Sequence, residues 1–222
     1  MINDYDIKFK PTGFDYVNPR AKVILVGITP GNTQLVASRE GKSLVEIKKE
    51  NAFAGGMRNN LIRMLDHIGA NTLLGIETCV TLWENDFDKV EMTSLLKDAT
   101  FYKGKMFNRA PDIFKSTLLM NVFRNGFVRD CQLYANAVLF VAMGDGVMTV
   151  LSRLKEEGVV SADIVAIPHP SGANAGRISV FLGSKPAADD CASKRAYEQF
   201  QQATATISRL CCNIPRSNVM AC

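Results

Sequence analysis

Short apolar runs recur along the chain, and each ends in a turn. Residues 22–26 (KVILV) lead into Gly27-Ile28-Thr29-Pro30-Gly31-Asn32. Residues 137–142 (AVLFVA) close on Gly144-Asp145-Gly146, and residues 164–167 (IVAI) lead into Pro168-His169-Pro170-Ser171-Gly172-Ala173-Asn174. Runs of this length bounded by turn residues read as buried strands. Apolar residues on consecutive positions suit a parallel sheet covered on both faces. Residues 79–83 and 90–96 are further strand expectations. Between these runs the spacing changes to that of helices: Leu61, Ile62, Leu65 and Ile68 mark residues 57–68, with Gly69 as the stop. Helices are also expected over 43–50, 112–124 (stopping near Asn125-Gly126), 147–157 and 193–211. Residues 1–20 read as an irregular lead-in, 97–111 as a polar, basic loop and 213–222 as a frayed tail. Strands alternating with helices predict one α/β domain over residues 1–222 with a mainly parallel sheet.

Composition changes this picture little. With 222 residues, 47% hydrophobic and 22% charged, the chain suits an ordinary globular domain. The polar start MINDYDIKFK is unlike a secretory signal, and no apolar run reaches membrane-spanning length, so a cytoplasmic protein is expected. A net charge of +4 permits nucleic-acid binding without demanding it. The six cysteines form no C-x-x-C pair and there are two histidines, which argues against a zinc or iron–sulfur centre. Gly41-Lys42-Ser43 is no phosphate loop, because the glycine the pattern needs at position 36 is Val36.

The chemistry lies in two loops that leave strand ends, where open α/β sheets place ligands. In Gly27–Asn32 two glycines and a proline make a stiff turn of little bulk, whose backbone N–H groups can face an anion or a polar ring. In the second loop His169 stands between Pro168 and Pro170, which fix their own φ and restrict their neighbours. Such stiffening suits a side chain whose direction matters. Ser171 follows as a candidate phosphate contact.

Three segments together resemble the uracil-DNA glycosylase superfamily. Gly27-Ile28-Thr29-Pro30-Gly31 is similar to its first motif, G-x-[DNA]-P-[YG]. His169-Pro170-Ser171-Gly172 is similar to its second, [HN]-P-S-[PG]. Residues 52–65 between them resemble the P-F-V-G-R-x-G-x-L-L-x-x-M-L segment of the thermostable branch. The resemblance implies a three-layer αβα sandwich with a central, mainly parallel four-stranded sheet. It implies excision of a base flipped out of DNA, with no cofactor and no metal, DNA as partner, no membrane, and a monomer. Carried over by position, His169 would stabilise charge on the leaving base and Thr29 would stand at the water site. Gly27, Ile28, Gly31, Asn32, Phe53 and Ser94 would bind the base, with Phe53 stacking on it. Pro170, Ser171, Gly172, Asn174 and Arg177 would contact DNA, Arg177 as the wedge candidate.

The chain departs from the pattern in three places. The water-activating Asp, Asn or Glu of the first motif is replaced by Thr29 and Ile28, and a threonine is no base near neutral pH. Ser94, in Thr93-Ser94-Leu95-Leu96-Lys97, stands where the family reads the base with an asparagine. Gly31 replaces a tyrosine that closes the pocket against 5-substituted pyrimidines. These changes lead to the expectation of a glycosylase for a modified or bulky pyrimidine, such as a glucosylated hydroxymethylcytosine of phage DNA. The alternatives are a uracil or mismatch repair glycosylase, or a module that binds modified DNA without cleaving it. An unrelated nucleotide hydrolase would need a phosphate loop or an acidic cluster at the strand ends, and Asp145 is the only acid there. Lys97, Lys103, Lys105 and Arg109 are candidates to track DNA phosphates.

Overall fold

The computed structural model describes residues 2–12, 16–35 and 41–213. The expected tail over 213–222 lies outside them apart from Asn213. Among the described residues seven strands form two sheets: β1 (Ile7–Lys10), β2 (Val23–Gly27), β3 (Val90–Ser94), β4 (Ala99–Tyr102), β5 (Lys105–Met106), β6 (Leu139–Met143) and β7 (Asp163–Ile167). The helices are α1 (Asn32–Leu35), α2 (Leu44–Asn51), α3 (Gly56–His67), α4 (Ala70–Leu74), α5 (Thr117–Phe123), α6 (Arg129–Cys131), α7 (Asp145–Glu156), α8 (Ala175–Phe181) and α9 (Cys191–Cys212).

The central sheet has the order β3-β2-β6-β7, and every pairing in it is parallel. The side-chain period of two splits each strand between two cores. Val23 and Leu25 of β2 join Val141 of β6 and Ile167 of β7 under α3, α4, α8 and α9. Ile24 and Val26 join Phe140, Ala142 and Ala166 under α5 and α7. This is the α/β three-layer sandwich expected, and burial on both faces explains why the strands read as unbroken apolar runs.

Several local expectations are corrected. Residues 79–83 form a 3-10 turn, not a strand. Asp66 accepts from the Thr78 hydroxyl and the Cys79 N–H, both at 2.7 Å, and so holds the turn with Cys79, Leu82 and Trp83 inward. Residues 97–111 are not one loop. They contain the β4–β5 hairpin, whose turn residues Lys103 and Gly104 both have positive φ (51° and 74°), the signature of a tight two-residue hairpin. The lead-in is not irregular throughout, because β1 pairs antiparallel with β4. The helix expected over 112–124 begins later, where the Ser116 hydroxyl accepts from the Leu119 N–H. It also runs on past Asn125-Gly126 through a π turn, Arg124–Val128, into α6. Gly126 is there for space: a Cβ on it would lie 2.9 Å from Lys97 Cγ. The Lys97 stem crosses that point to pair its ammonium with Asp130 at 2.7 Å. Lys97 is therefore turned inward and does not track phosphates.

Edge strand β3 carries a buried ion pair. Glu91 takes the Lys48 ammonium on one oxygen and the Asn18 N–H on the other at 2.8 Å, while Lys48 also donates to the Tyr16 carbonyl at 2.7 Å. Both charged side chains are 1% exposed. Burial favours the neutral form of each and is opposed chiefly by the partner's charge, with the Asn18 N–H also favouring the Glu91 carboxylate. Removing one partner leaves a buried unpaired charge, so Glu91→Gln or Lys48→Met is expected to cost about 3–5 kcal/mol of stability. The double variant Lys48→Met/Glu91→Leu is expected to lie closer to the parent than either single variant in urea unfolding. A double variant as unstable as the sum of the two would contradict this account.

Candidate functional site

Because the central sheet is parallel, its carboxyl ends share one rim. Gly27 stands in register with Ser94, and Met143 with Ile167. A cavity of about 560 Å3 opens at that rim, within the range of small-molecule sites. Gly27, Ile28, Thr29, Gly31, Phe53, Ser94, His169, Asn174 and Arg177 all line it. Both loops, the residue 52–57 segment and the end of β3 thus converge on one space. Pro170 is buried behind the rim, whereas Gly172 is exposed outside it. Ser171 lies beside His169, away from the cavity lining. Asn32 opens α1, but its side chain lies outside the described residues.

His169 is the best-defined group. The Ser171 N–H donates to its Nδ1 at 3.3 Å, which assigns the ring hydrogen to Nε2. Burial pushes its pKa below the ordinary histidine value. A neutral imidazole therefore faces the cavity as a hydrogen-bond donor. Its loop is clasped from α3, where the Asn60 amide donates to the Pro170 carbonyl at 3.0 Å. Gly144 follows β6 with φ of 98°, a backbone conformation that favours glycine, and its position lies in ordinary contact range of His169, where a Cβ would be 3.9 Å from His169 Cβ.

Phe53 has φ of 53°, a genuine outlier for a bulky residue, and costs on the order of 1–3 kcal/mol. Its neighbours enforce it. The Ala52 carbonyl accepts from Trp83 Nε1 at 3.0 Å and from Arg58 at 3.1 Å, and Arg58 also donates to the Lys49 and Glu50 carbonyls. Strain held in this way at a cavity wall fits a ring whose placement matters.

Thr29 lines the cavity, but its hydroxyl is engaged. It donates to the Asp98 carbonyl and accepts from the Thr100 N–H, both at 2.9 Å, so it joins the first loop to β4. Among the described residues no carboxylate lines the cavity. Asp145 heads α7 without capping it by its side chain; Gly144 is the cap residue. Its carboxylate gathers Arg195 Nε and Gln199 Nε2, each at 2.9 Å, and Arg177 at 3.4 Å. Arg177 is therefore turned back toward α9 rather than projected outward. Among the described residues a Cβ on Gly31 meets nothing within 4 Å, so they leave that side of the cavity open.

Sequence reasoning missed Asn51, Asn108, Met106 and Met57 on the cavity wall, and Asn60, Arg58 and Trp83 behind it. Lys103-Gly104 was the one local signal for the hairpin that brings in Met106 and Asn108. Asn60, Arg58 and Trp83 act through backbone carbonyls distant in sequence, which no pattern announces. Burial pushes the thiols of Cys79 and Cys131 up, that of Cys131 to about 12, which leaves both unreactive. Among the described residues no group of three or more His, Cys, Asp or Glu could hold a metal, and no helix is long and apolar enough to cross a membrane.

No protein-family model matches the chain. It is similar to the uncharacterized protein YoxB of Bacillus subtilis, 28% identical over 198 residues, covering 82% of this chain and 77% of that protein.

The state of His169 is open to measurement. An NMR pH titration is expected to place its midpoint below the ordinary value of about 6.5. A neutral imidazole favoured by the fold contributes stability that is complete above that ordinary value. The contribution is lost as pH falls through the depressed folded value. A midpoint at or above the ordinary value would contradict the assignment.

Proposed function

We propose that the chain is a DNA glycosylase that takes a flipped pyrimidine into the cavity and cleaves its N-glycosidic bond. The observation that carries this reading is the neutral, backbone-fixed imidazole of His169. It faces the same cavity as Phe53, Ser94 and the Gly27–Gly31 loop. A base is extruded because its reacting bond is unreachable inside the duplex. Phe53 stacks on it, and Ser94 with the first-loop backbone meets its polar edge. As the bond between C1′ and the base nitrogen breaks, the electron pair leaves with the base. Nε2–H of His169 donates to the oxygen that gains the charge, an interaction strongest in the transition state. Water then adds to the electron-poor C1′, losing a proton to solvent, and the base anion takes up a proton.

The absence of a lining carboxylate among the described residues fits a dissociative bond break that needs no strong base. The open space at Gly31 favours a 5-substituted or otherwise bulky pyrimidine over uracil. The committed Thr29 hydroxyl also favours a second reading, a module that binds modified DNA without cleaving it.

Abasic-site formation on DNAs carrying uracil, 5-hydroxymethylcytosine and its glucosylated form separates these readings. Cleavage of a 5-substituted base is expected, with a loss of about 10²–10³-fold in His169→Ala. Gly31→Tyr, which has room for its Cβ, is expected to suppress cleavage of the bulky base while sparing uracil. Binding without cleavage of any DNA would transfer the chain to the second reading. Cleavage of uracil alone would restore a repair role.

A further inference from the structure

The small antiparallel sheet β1-β4-β5 stands beside the cavity, and its two faces differ in character. Ile7, Phe9 and Tyr102 on one face pack into the core beneath α5 and α7. On the other face the pairing sets Met106 opposite Phe101, and Phe101 opposite Lys8, in one row across the strands. Met106 is itself part of the cavity wall. The row therefore runs outward from the cavity, over a half-buried phenyl ring, to an exposed lysine. Lys10, on the same face, places its ammonium over the Phe101 ring, 5.2 Å from its centre, and a base that stacks there displaces it. Among the described residues Lys8 and Lys10 have no carboxylate within ion-pair distance, and Phe101 joins neither core layer.

Two cations with no ion-pair partner among the described residues, beside a half-buried aromatic ring, combine the two elements by which proteins hold single-stranded nucleic acid: charge along the backbone and a ring on which a base stacks. A duplex presents phosphates but keeps its base faces covered, so the ring favours an unpaired strand. We infer that this face of the small sheet binds a single-stranded stretch of DNA next to the base held in the cavity. Phe101 stacks on a neighbouring base, and Lys8 and Lys10 meet the phosphates. The inference rests on the glycosylase reading for its substrate but adds a strand preference that reading does not contain.

The test uses an oligodeoxyadenosine, which has no pyrimidine to excise, and a duplex of equal length, with binding followed by fluorescence anisotropy. The parent is expected to bind the single strand more tightly than the duplex. Phe101→Ala is expected to weaken single-strand binding by about 5- to 140-fold. The exposed pair Lys8→Gln/Lys10→Gln is expected to lower the slope of log affinity against log salt by about 1.4. Thermal melting checks that each variant is folded. Equal affinity for strand and duplex, or affinities unchanged in all variants, would overturn the inference and leave the face to a protein partner. Loss of binding in these variants, in a protein that forms no abasic sites on any DNA, would keep the surface and refute the glycosylase.

Discussion

Everything at the candidate site depends on the parallel register of four strands. Parallel pairing places the ends of β3, β2, β6 and β7 at one rim, and the loops that leave them have no other place to go. An antiparallel partner would have sent one of those loops to the opposite edge. The register also determines composition. Strands covered on both faces are mostly apolar, with Glu91 and Thr93 of edge strand β3 as exceptions, so most polar chemistry lies at their carboxyl ends. Gly27 and Ser94 end β2 and β3, and Gly144 and His169 follow β6 and β7 within two residues.

The loops are held by bonds between backbone and side chain as well as by packing of Ile28 and Phe53 against the cores. Asn60 holds the histidine loop, Thr29 ties the first loop to β4, and Arg58 with Trp83 fixes the carbonyl before Phe53. Each uses a polar group that would otherwise be unsatisfied near a buried wall. The cavity is thereby shaped before any ligand arrives, which is the condition for a donor such as His169 to act without reorganisation. A strained Phe53 runs against local preference, and it lines the same cavity as the neutral imidazole of His169.

The layered α/β fold was legible because it rests on uninterrupted apolar runs and helical spacing, which one sequence displays in full. The two loops were legible because their glycines and prolines punctuate the ends of those runs. The β1-β4-β5 sheet was not, since its strands are short, polar on one face and paired across about ninety residues of chain. Residues 79–83 misled for the opposite reason: Cys79, Leu82 and Trp83 are apolar enough for a strand, but Asp66 holds them in a turn. The water-site reading of Thr29 could not anticipate Asp98 and Thr100, which engage its hydroxyl from a strand the sequence did not reveal.

The central claim is that both loops and Phe53 close around one base taken out of DNA. A crystal structure of the His169→Ala protein with DNA bearing one non-cleavable 2′-fluoro nucleotide, with a 5-hydroxymethylcytosine base, tests it most directly. The account predicts that base inside the cavity, its face against Phe53 and its 5-substituent toward Gly31. A complex in which every base stays stacked in the DNA and the cavity holds none of it would contradict the account.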